Sequence, residues 1–179
     1  MGEKEEYAII LDYLPNGYPL EGRMMPIAQA IGEKNLSLLQ LVPRRGVSLQ
    51  AKERVYIGEG KRDKIYYILG RLPREKLTES AKSQLQEFVE KYITENEASF
   101  VEFFNKAEAI NTRLHQLELL PGFGRKHTNE IIEERKERDF SSLGDIKKRL
   151  PHIPDIKKVI EKRIIQELTE MERHNLFIN

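Results

Sequence analysis

The chain has no cysteine among its 179 residues, which removes disulfides, thiolate nucleophiles, cysteine zinc sites and iron-sulfur clusters together. The expected compartment is therefore cytoplasmic. No apolar run approaches the roughly 20 residues a membrane-spanning helix needs. The opening "MGEKEEYAIILDYLPNGYP" also lacks the basic start and unbroken apolar stretch of a signal peptide. The expectation is a protein neither secreted nor anchored, with no membrane partner. Histidine is scarce, and the four at 115, 127, 152 and 174 share no ligand spacing, so neither a metal site nor a His-based triad is supported. "GEGK" at 58 to 61 sits in no G-x-x-x-x-G-K-[ST] pattern, and Arg62 stands where Ser or Thr would bind magnesium. Carboxylates are plentiful but lie mainly in mixed helices such as "NEIIEERKERD", where intrahelical ion pairs are the natural reading. The residues supply no catalytic constellation, so a non-catalytic protein without a cofactor is expected.

Charge of one sign is also lacking overall, since the net charge is +1. That argues against a strongly basic nucleic-acid binder until the distribution is read. Residues 44 to 74 hold nine Lys or Arg against three acids, and residues 121 to 163 hold twelve against eight, leaving two basic islands of +6 and +4 in an acidic background. What the chain does have is a hydrophobic fraction of 39% with seven Phe and seven Tyr, enough for a folded core, and 33% charged residues for its surface.

Two periods divide the chain. "YAIILDYL" (7 to 14), "LSLLQLV" (36 to 42), "RVYIG" (54 to 58) and "KIYYILGRL" (64 to 72) are short, β-branched and aromatic, and read as strands. "PNGYP", "PRRG" and "GEGKRD" supply the turns. Several short strands in about 70 residues suggest a small barrel. From Leu77 the spacing of Ala81, Leu85, Phe88, Val89, Tyr92 and Ile93 is that of an amphipathic helix, with Thr78 as its N-cap. "TENE" at 94 to 97 has the form of a capping box opening a second helix through Phe100, Val101 and Phe104. A third is expected through Ile110, Leu114 and Leu117, and a fourth through Ile131 and Ile132. "SLGD" at 142 to 145 starts another, stopped by "PHIP", and the last runs beyond Asp155 through Ile164 and Leu168. The α+β organisation expected is a β-barrel domain at 1–76 and an all-α domain at 77–179, with Phe177 and Ile178 as candidates to close an interface between them.

Between the apolar segments stand "LPGFG" at 120 to 124 and, thirty residues on, "LPHIP" at 150 to 154, which together suggest a duplicated helix-turn-helix unit. Glycines allow a tight backbone and leave N–H groups uncovered, and the helix that follows points its unpaired first-turn amides and positive dipole end the same way. That arrangement suits an anion. Arg125 and Lys126 lie in this first turn, where cations oppose the dipole by roughly 0.3 to 1 kcal/mol each, so folding alone would not select them. A bound backbone phosphate would.

"LELLPGFGRKHTNEII" resembles a helix-hairpin-helix motif, the L-x-x-h-P-G-h-G-x-x-x-A-x-x-h pattern of many DNA- and RNA-binding proteins, matching at Leu117, Leu120, Pro121, Gly122, Phe123, Gly124 and Ile131. It departs at Thr128, where the family usually has Ala for close packing. The resemblance implies that Phe123 plugs the core, that the amides from Gly122 to Lys126 hold a phosphate with His127 as an extra contact, and that a monovalent cation can sit at 120–124. In the second copy His152 and Pro154 replace both glycines, which implies packing rather than phosphate capture. Nearly the whole chain, with "AIILDYLPNGYP", "PRRG" and "IGEGKRDKIYYILGRL" as its N-terminal residues, is similar to an uncharacterised archaeal family of predicted nucleic-acid-binding proteins. That family implies an oligonucleotide-binding (OB)-like barrel, a tandem helix-hairpin-helix domain and a link to translation and ribosomal RNA modification, which leans the partner towards RNA rather than DNA.

The second expected contact is the basic barrel face of Arg44, Arg45, Lys52, Arg54, Lys61, Arg62 and Lys64, with Tyr56, Tyr66 and Tyr67 interleaved for base stacking. Tyr66 and Tyr67 point to opposite faces of a strand, so at least one is expected in the core. Bland alternatives remain for each feature: a glycine loop capping a helix, and a solvated face that keeps a small barrel soluble. The competing functions are a protein-interaction module docking a ribosomal or transcription protein, and an accessory DNA-binding protein of a nuclease or repair enzyme.

Overall fold

The strand-rich third forms one antiparallel sheet of β1 (Tyr7–Leu14), β2 (Ile27–Gly32), β3 (Leu38–Pro43), β4 (Arg54–Tyr56) and β5 (Ile65–Arg71), in the order β4-β1-β2-β3-β5. The computed structural model describes residues 4–22 and 24–178. Four strands lie where the β-branched and aromatic runs place them. β2 is the strand the sequence pattern hides, because "IAQAIG" is mostly Ala, Gln and Gly, types of low strand propensity. Its position between β1 and β3, with all six residues buried, makes it a strand. Nine buried residues, among them Ala8, Ile10, Ala30, Leu41, Val55 and Ile65, form one core cluster.

The sheet curls into a half-barrel, with β4 and β5 as its two unjoined edges. Bulges supply bending. In β1, Ile10 and Asp12 oppose the adjacent Ala30 and Gln29, which leaves Leu11 as an extra residue. In β5 the register skips twice in the same way.

A compact unit of 1–87 with 167–179 contains this sheet, and a second unit covers 88–166. The boundary expected at 76 falls after the last strand, which ends at Arg71, while the first unit continues into α1 (Glu79–Glu95). Thr78 caps that helix as expected, its Oγ1 accepting the Ala81 amide at 3.0 Å. The same hydroxyl donates to Asp12 Oδ2 at 2.6 Å, and fully buried Gln29 accepts the Thr78 amide at 3.1 Å and donates to the Lys76 carbonyl at 2.6 Å. These bonds fix the start of α1 to β1 and β2. Near the other end of the chain, Glu167 Oε1 accepts the amides of Leu176, Phe177 and Ile178, each at 3.0 Å, which holds the tail within this unit.

The second unit contains α2 (Glu97–Lys106), α3 (Arg125–Glu137), α4 (Leu143–Arg149) and most of α5 (Ile156–Thr169). Two helix expectations fail there. "TENE" is not a capping box: Thr94 stays inside α1 with its hydroxyl on the Glu90 carbonyl at 3.1 Å, and Asn96 at the head of α2 gives that helix no side-chain cap, its side-chain amide donating instead to the Tyr92 carbonyl of α1 at 2.9 Å. The apolar spacing through Ile110 and Leu114 gives no α-helix either. Asn111 Oδ1 takes the Arg113 amide at 2.8 Å, a local turn that competes with helix, and Ala109 bridges His115. Only a 3₁₀ turn, Gln116–Leu119, remains before the hairpin. "SLGD" does open α4, with Ser142 Oγ accepting the Asp145 amide at 2.9 Å. Among the described residues no helix is long and apolar enough to cross a membrane.

Candidate functional site

At the first hairpin the Leu120 carbonyl accepts the Phe123 amide at 3.0 Å, closing a turn with Pro121 and Gly122 in its central positions. Gly122 has φ +80°, the left-handed value that favours glycine and that a Pro-Gly turn demands. Phe123 is buried, which seats the turn on the core. Gly124 is different. As N-cap of α3 it has φ −109° and ψ −164°, extended values any residue adopts, and a Cβ added there meets nothing within 4 Å. Neither backbone strain nor packing requires glycine at this position, and no side chain caps the helix. The first-turn amides of α3 therefore face outward without cover.

Arg125 and Lys126 are exposed beside those amides, no acid lies in the first turn, and no ion pair among the described residues includes either cation. Support comes from behind. Arg163 of α5, buried, donates to the Leu119 carbonyl at 3.2 Å. His127 sets its ring edge against Phe123, with 5.5 Å between centroids, and its Nδ1 lies 3.9 Å from Glu130 Oε2. Thr128, where the resembled motif has Ala, is buried with its hydroxyl unpartnered among the described residues.

The second hairpin repeats the turn, the Leu150 carbonyl accepting the Ile153 amide at 3.3 Å with Ile153 buried where Phe123 is in the first. It presents no comparable donors. Pro154 has no N–H, Lys147 Nζ covers the Pro151 and Ile153 carbonyls at 3.1 and 3.0 Å, and His152 bonds to Glu130 on α3. Pro154 lies 3.6 Å from where a Cβ on Gly122 would stand, so this loop packs against the first. Among the described residues no group of three or more His, Asp or Glu side chains is placed to hold a metal ion. A monovalent cation at 120–124 would instead rest on hairpin carbonyls, the hard oxygen donors such an ion takes, of which those of Leu120 and Gly124 already accept amides.

The 3₁₀ turn leading into the hairpin depends on His115. Its Nδ1 accepts the Leu117 amide at 3.1 Å, which requires the unprotonated nitrogen. Burial, with Arg135 nearby, lowers its pKa from the ordinary 6.5. A depressed value in the folded chain means the contribution to stability is complete above about pH 6.5 and is lost as pH falls through the folded value. An NMR titration should put the His115 midpoint below 6.5, with urea stability falling alongside it. A midpoint at or above 6.5 contradicts the cap.

On the barrel the seven expected cations separate by what they already hold. Arg54 makes a two-pronged pair with Glu33 at 2.6 and 3.1 Å and stacks 3.6 Å over Tyr7. Lys52 pairs with Glu87 at 3.1 Å, and Lys64 with Glu53, whose carboxyl is held below its ordinary pKa first by that hydrogen bond. Arg44 Nε donates to the Arg62 carbonyl at 2.7 Å and Arg62 Nε to that of Gly58 at 2.8 Å, which brings the 43–47 and 58–64 loops together. Arg45 and Lys61 are exposed beside them. The available charge therefore collects at Arg44, Arg45, Lys61 and Arg62, while Lys52, Arg54 and Lys64 serve the fold. Tyr67 is half-buried, its hydroxyl 3.8 Å from Met25 Sδ, whereas Tyr66 is exposed.

Comparison with known proteins gives three findings. A family model described as protein of unknown function (DUF655) matches residues 4–179. "Uncharacterized protein MJ0038" of Methanocaldococcus jannaschii is 41% identical over 174 residues, covering 97% of this chain and 79% of that protein. The crystal structure of Af1531 from Archaeoglobus fulgidus superposes with a TM-score of 0.84 at 43% identity, covering 98% of this chain and 100% of that one.

Proposed function

The chain belongs to the DUF655 family of proteins of unknown function, and from its own residues we propose that it is a non-catalytic nucleic-acid-binding protein that grips a phosphate at Gly122 to Lys126 and contacts the same kind of ligand through Arg44, Arg45, Lys61 and Arg62. The observation that carries this is Gly124. A Ser or Asp there would cap α3 and stabilise it, yet the position holds a glycine that the fold does not need, followed by two cations the helix dipole disfavours. An incoming phosphate accounts for all three choices, since it takes the uncovered amides, needs the open approach and neutralises both charges.

The paired hairpins, with buried Leu120 and Phe123 answered by Leu150 and Ile153, favour the tandem helix-hairpin-helix reading. The five-stranded curled sheet favours a partly open OB-like barrel. RNA is preferred to DNA because the resemblance to the archaeal family implies a link to translation and ribosomal RNA modification. Such binding acts through the backbone and should be weakly sequence-selective.

Anisotropy titration of labelled single-stranded RNA tests the proposal. For three or four neutralised phosphates, affinity should fall roughly 20- to 50-fold between about 50 and 200 mM salt. No binding at the low salt, or affinity indifferent to salt, defeats the reading.

A further inference from the structure

We propose that β5 is a side-chain platform for unpaired bases, with Tyr66 and Leu69 as its contacts. This rests on the nucleic-acid reading above and names the ligand's form: single-stranded, with its bases free to stack. The register of the sheet carries the inference. Pro43 opposes Ile65 and its neighbour Val42 opposes Tyr67, so Tyr66 is an extra residue without a partner on β3. Leu41 opposes Ile68 and Gln40 opposes Gly70, so Leu69 is extra in the same way. These two bulged residues are the only large apolar side chains that the sheet exposes among the described residues, at 63% and 46%.

A bulge re-aims a side chain, and two of them three residues apart turn one Tyr and one Leu out of an edge strand. Burying either would need no bulge. Bending of the sheet accounts for the bulges themselves, but it does not require the two extra residues to be an exposed Tyr and an exposed Leu. The Tyr66 ring is backed edge-to-face by Tyr67 at 5.3 Å, and Tyr67 is itself anchored at Met25, so the exposed ring has a fixed support.

Charge and backbone select the occupant. Lys61 and Arg62 precede β5 and Arg71 and Arg74 close it, none of them in an ion pair among the described residues, and Asp63 is the only acid between 61 and 74. A polyanion is indicated. An acidic peptide added as a strand would meet the same cations, but it needs a regular ladder edge, and both bulges interrupt that edge. A single strand of nucleic acid needs only cations for its phosphates and a flat ring for its bases.

The chain has no tryptophan, so Tyr66→Trp introduces a single indole reporter at this position. Oligouridylate should quench it, whereas a polyglutamate peptide and an RNA duplex should not. Tyr66→Ala should weaken oligouridylate binding about 5- to 150-fold, the range for losing one stacked base, with unchanged duplex binding and thermal stability, and Tyr66→Phe should restore it. An unmoved indole while oligouridylate still binds by anisotropy overturns this inference and leaves the hairpin reading standing. Quenching by polyglutamate alone assigns the surface to a peptide and overturns it as well. If the unsubstituted protein binds no RNA, the two proposals fall together.

Discussion

Replacing Arg149 with Ala is expected to destabilise the helical unit by about 2 to 4 kcal/mol, somewhat less than the loss of one partner from a fully buried ion pair, because the Glu134 carboxylate is 33% exposed. The side chain is 8% exposed and uses every N–H it has. Nε donates to Glu134 Oε1 at 2.9 Å. Nη1 donates to Asp145 Oδ2 at 3.2 Å and the Asp139 carbonyl at 3.3 Å. Nη2 donates to the carbonyls of Glu134 at 2.7 Å and Arg138 at 3.0 Å. The guanidinium also lies 4.5 Å over the Phe140 ring. One residue of α4 thus satisfies the C-terminal end of α3, where helix carbonyls have no partners of their own.

Lysine cannot substitute, because three donors on one nitrogen do not span five acceptors spread over two helix ends and a loop. Arg149→Lys should therefore recover less than half of the loss. Urea denaturation followed by circular dichroism measures both variants, and a change below about 1 kcal/mol for Arg149→Ala would show that the network is dispensable. Asp145 gives an independent check. Its carboxyl is held below the ordinary range by the Ser141 amide first and by Arg149 as well. Its contribution is present above the unfolded value near 3.8 and lost as pH falls through the folded one, and Arg149→Ala should move the Asp145 midpoint upward.

Nothing in the sequence separates Arg149 from Lys147 and Lys148 beside it. Three consecutive basic residues look alike until the C-terminus of α3 arrives at one of them, and that arrival is a property of the fold. Charge counts mislead for the same reason. The basic island at 44 to 74 sums only its own acids, but Arg54 is neutralised by Glu33 and Lys52 by Glu87, both outside the window. Features closed within a few residues were legible: the Pro-Gly turn closes on its own backbone, and the Thr78 and Ser142 side chains cap amides three residues on. Pairing was not. β2 becomes a strand through what flanks it, and the extra residues at Tyr66 and Leu69 exist only relative to β3. Where local signals competed, as at 110 to 117, apolar spacing favoured a helix and the Asn111 turn prevailed.

The triple variant Gly124→Val, Arg125→Ala, Lys126→Ala should lose about 30-fold in affinity for single-stranded RNA, and its salt slope should flatten by about 1.4, the value for two fewer neutralised phosphates. Folding should hardly notice. Val at 124 adopts the observed extended backbone and its Cβ meets nothing within 4 Å, so it covers the amides without disturbing the core. It is a poorer N-cap than Gly, a loss of the order of 1 kcal/mol. Removing two cations from the positive end of α3 returns roughly 0.3 to 1 kcal/mol each. The two effects oppose, and the double variant Arg125→Ala, Lys126→Ala on its own should melt at or above the temperature of the unsubstituted protein while binding more weakly. Residues kept for a solvated surface would leave the affinity unchanged, and residues kept for folding would lower the melting temperature. Only groups held in place for a ligand give stability and affinity that move in opposite directions. A double variant that binds RNA as tightly as the unsubstituted chain, with the same salt slope, would remove the hairpin from the binding surface.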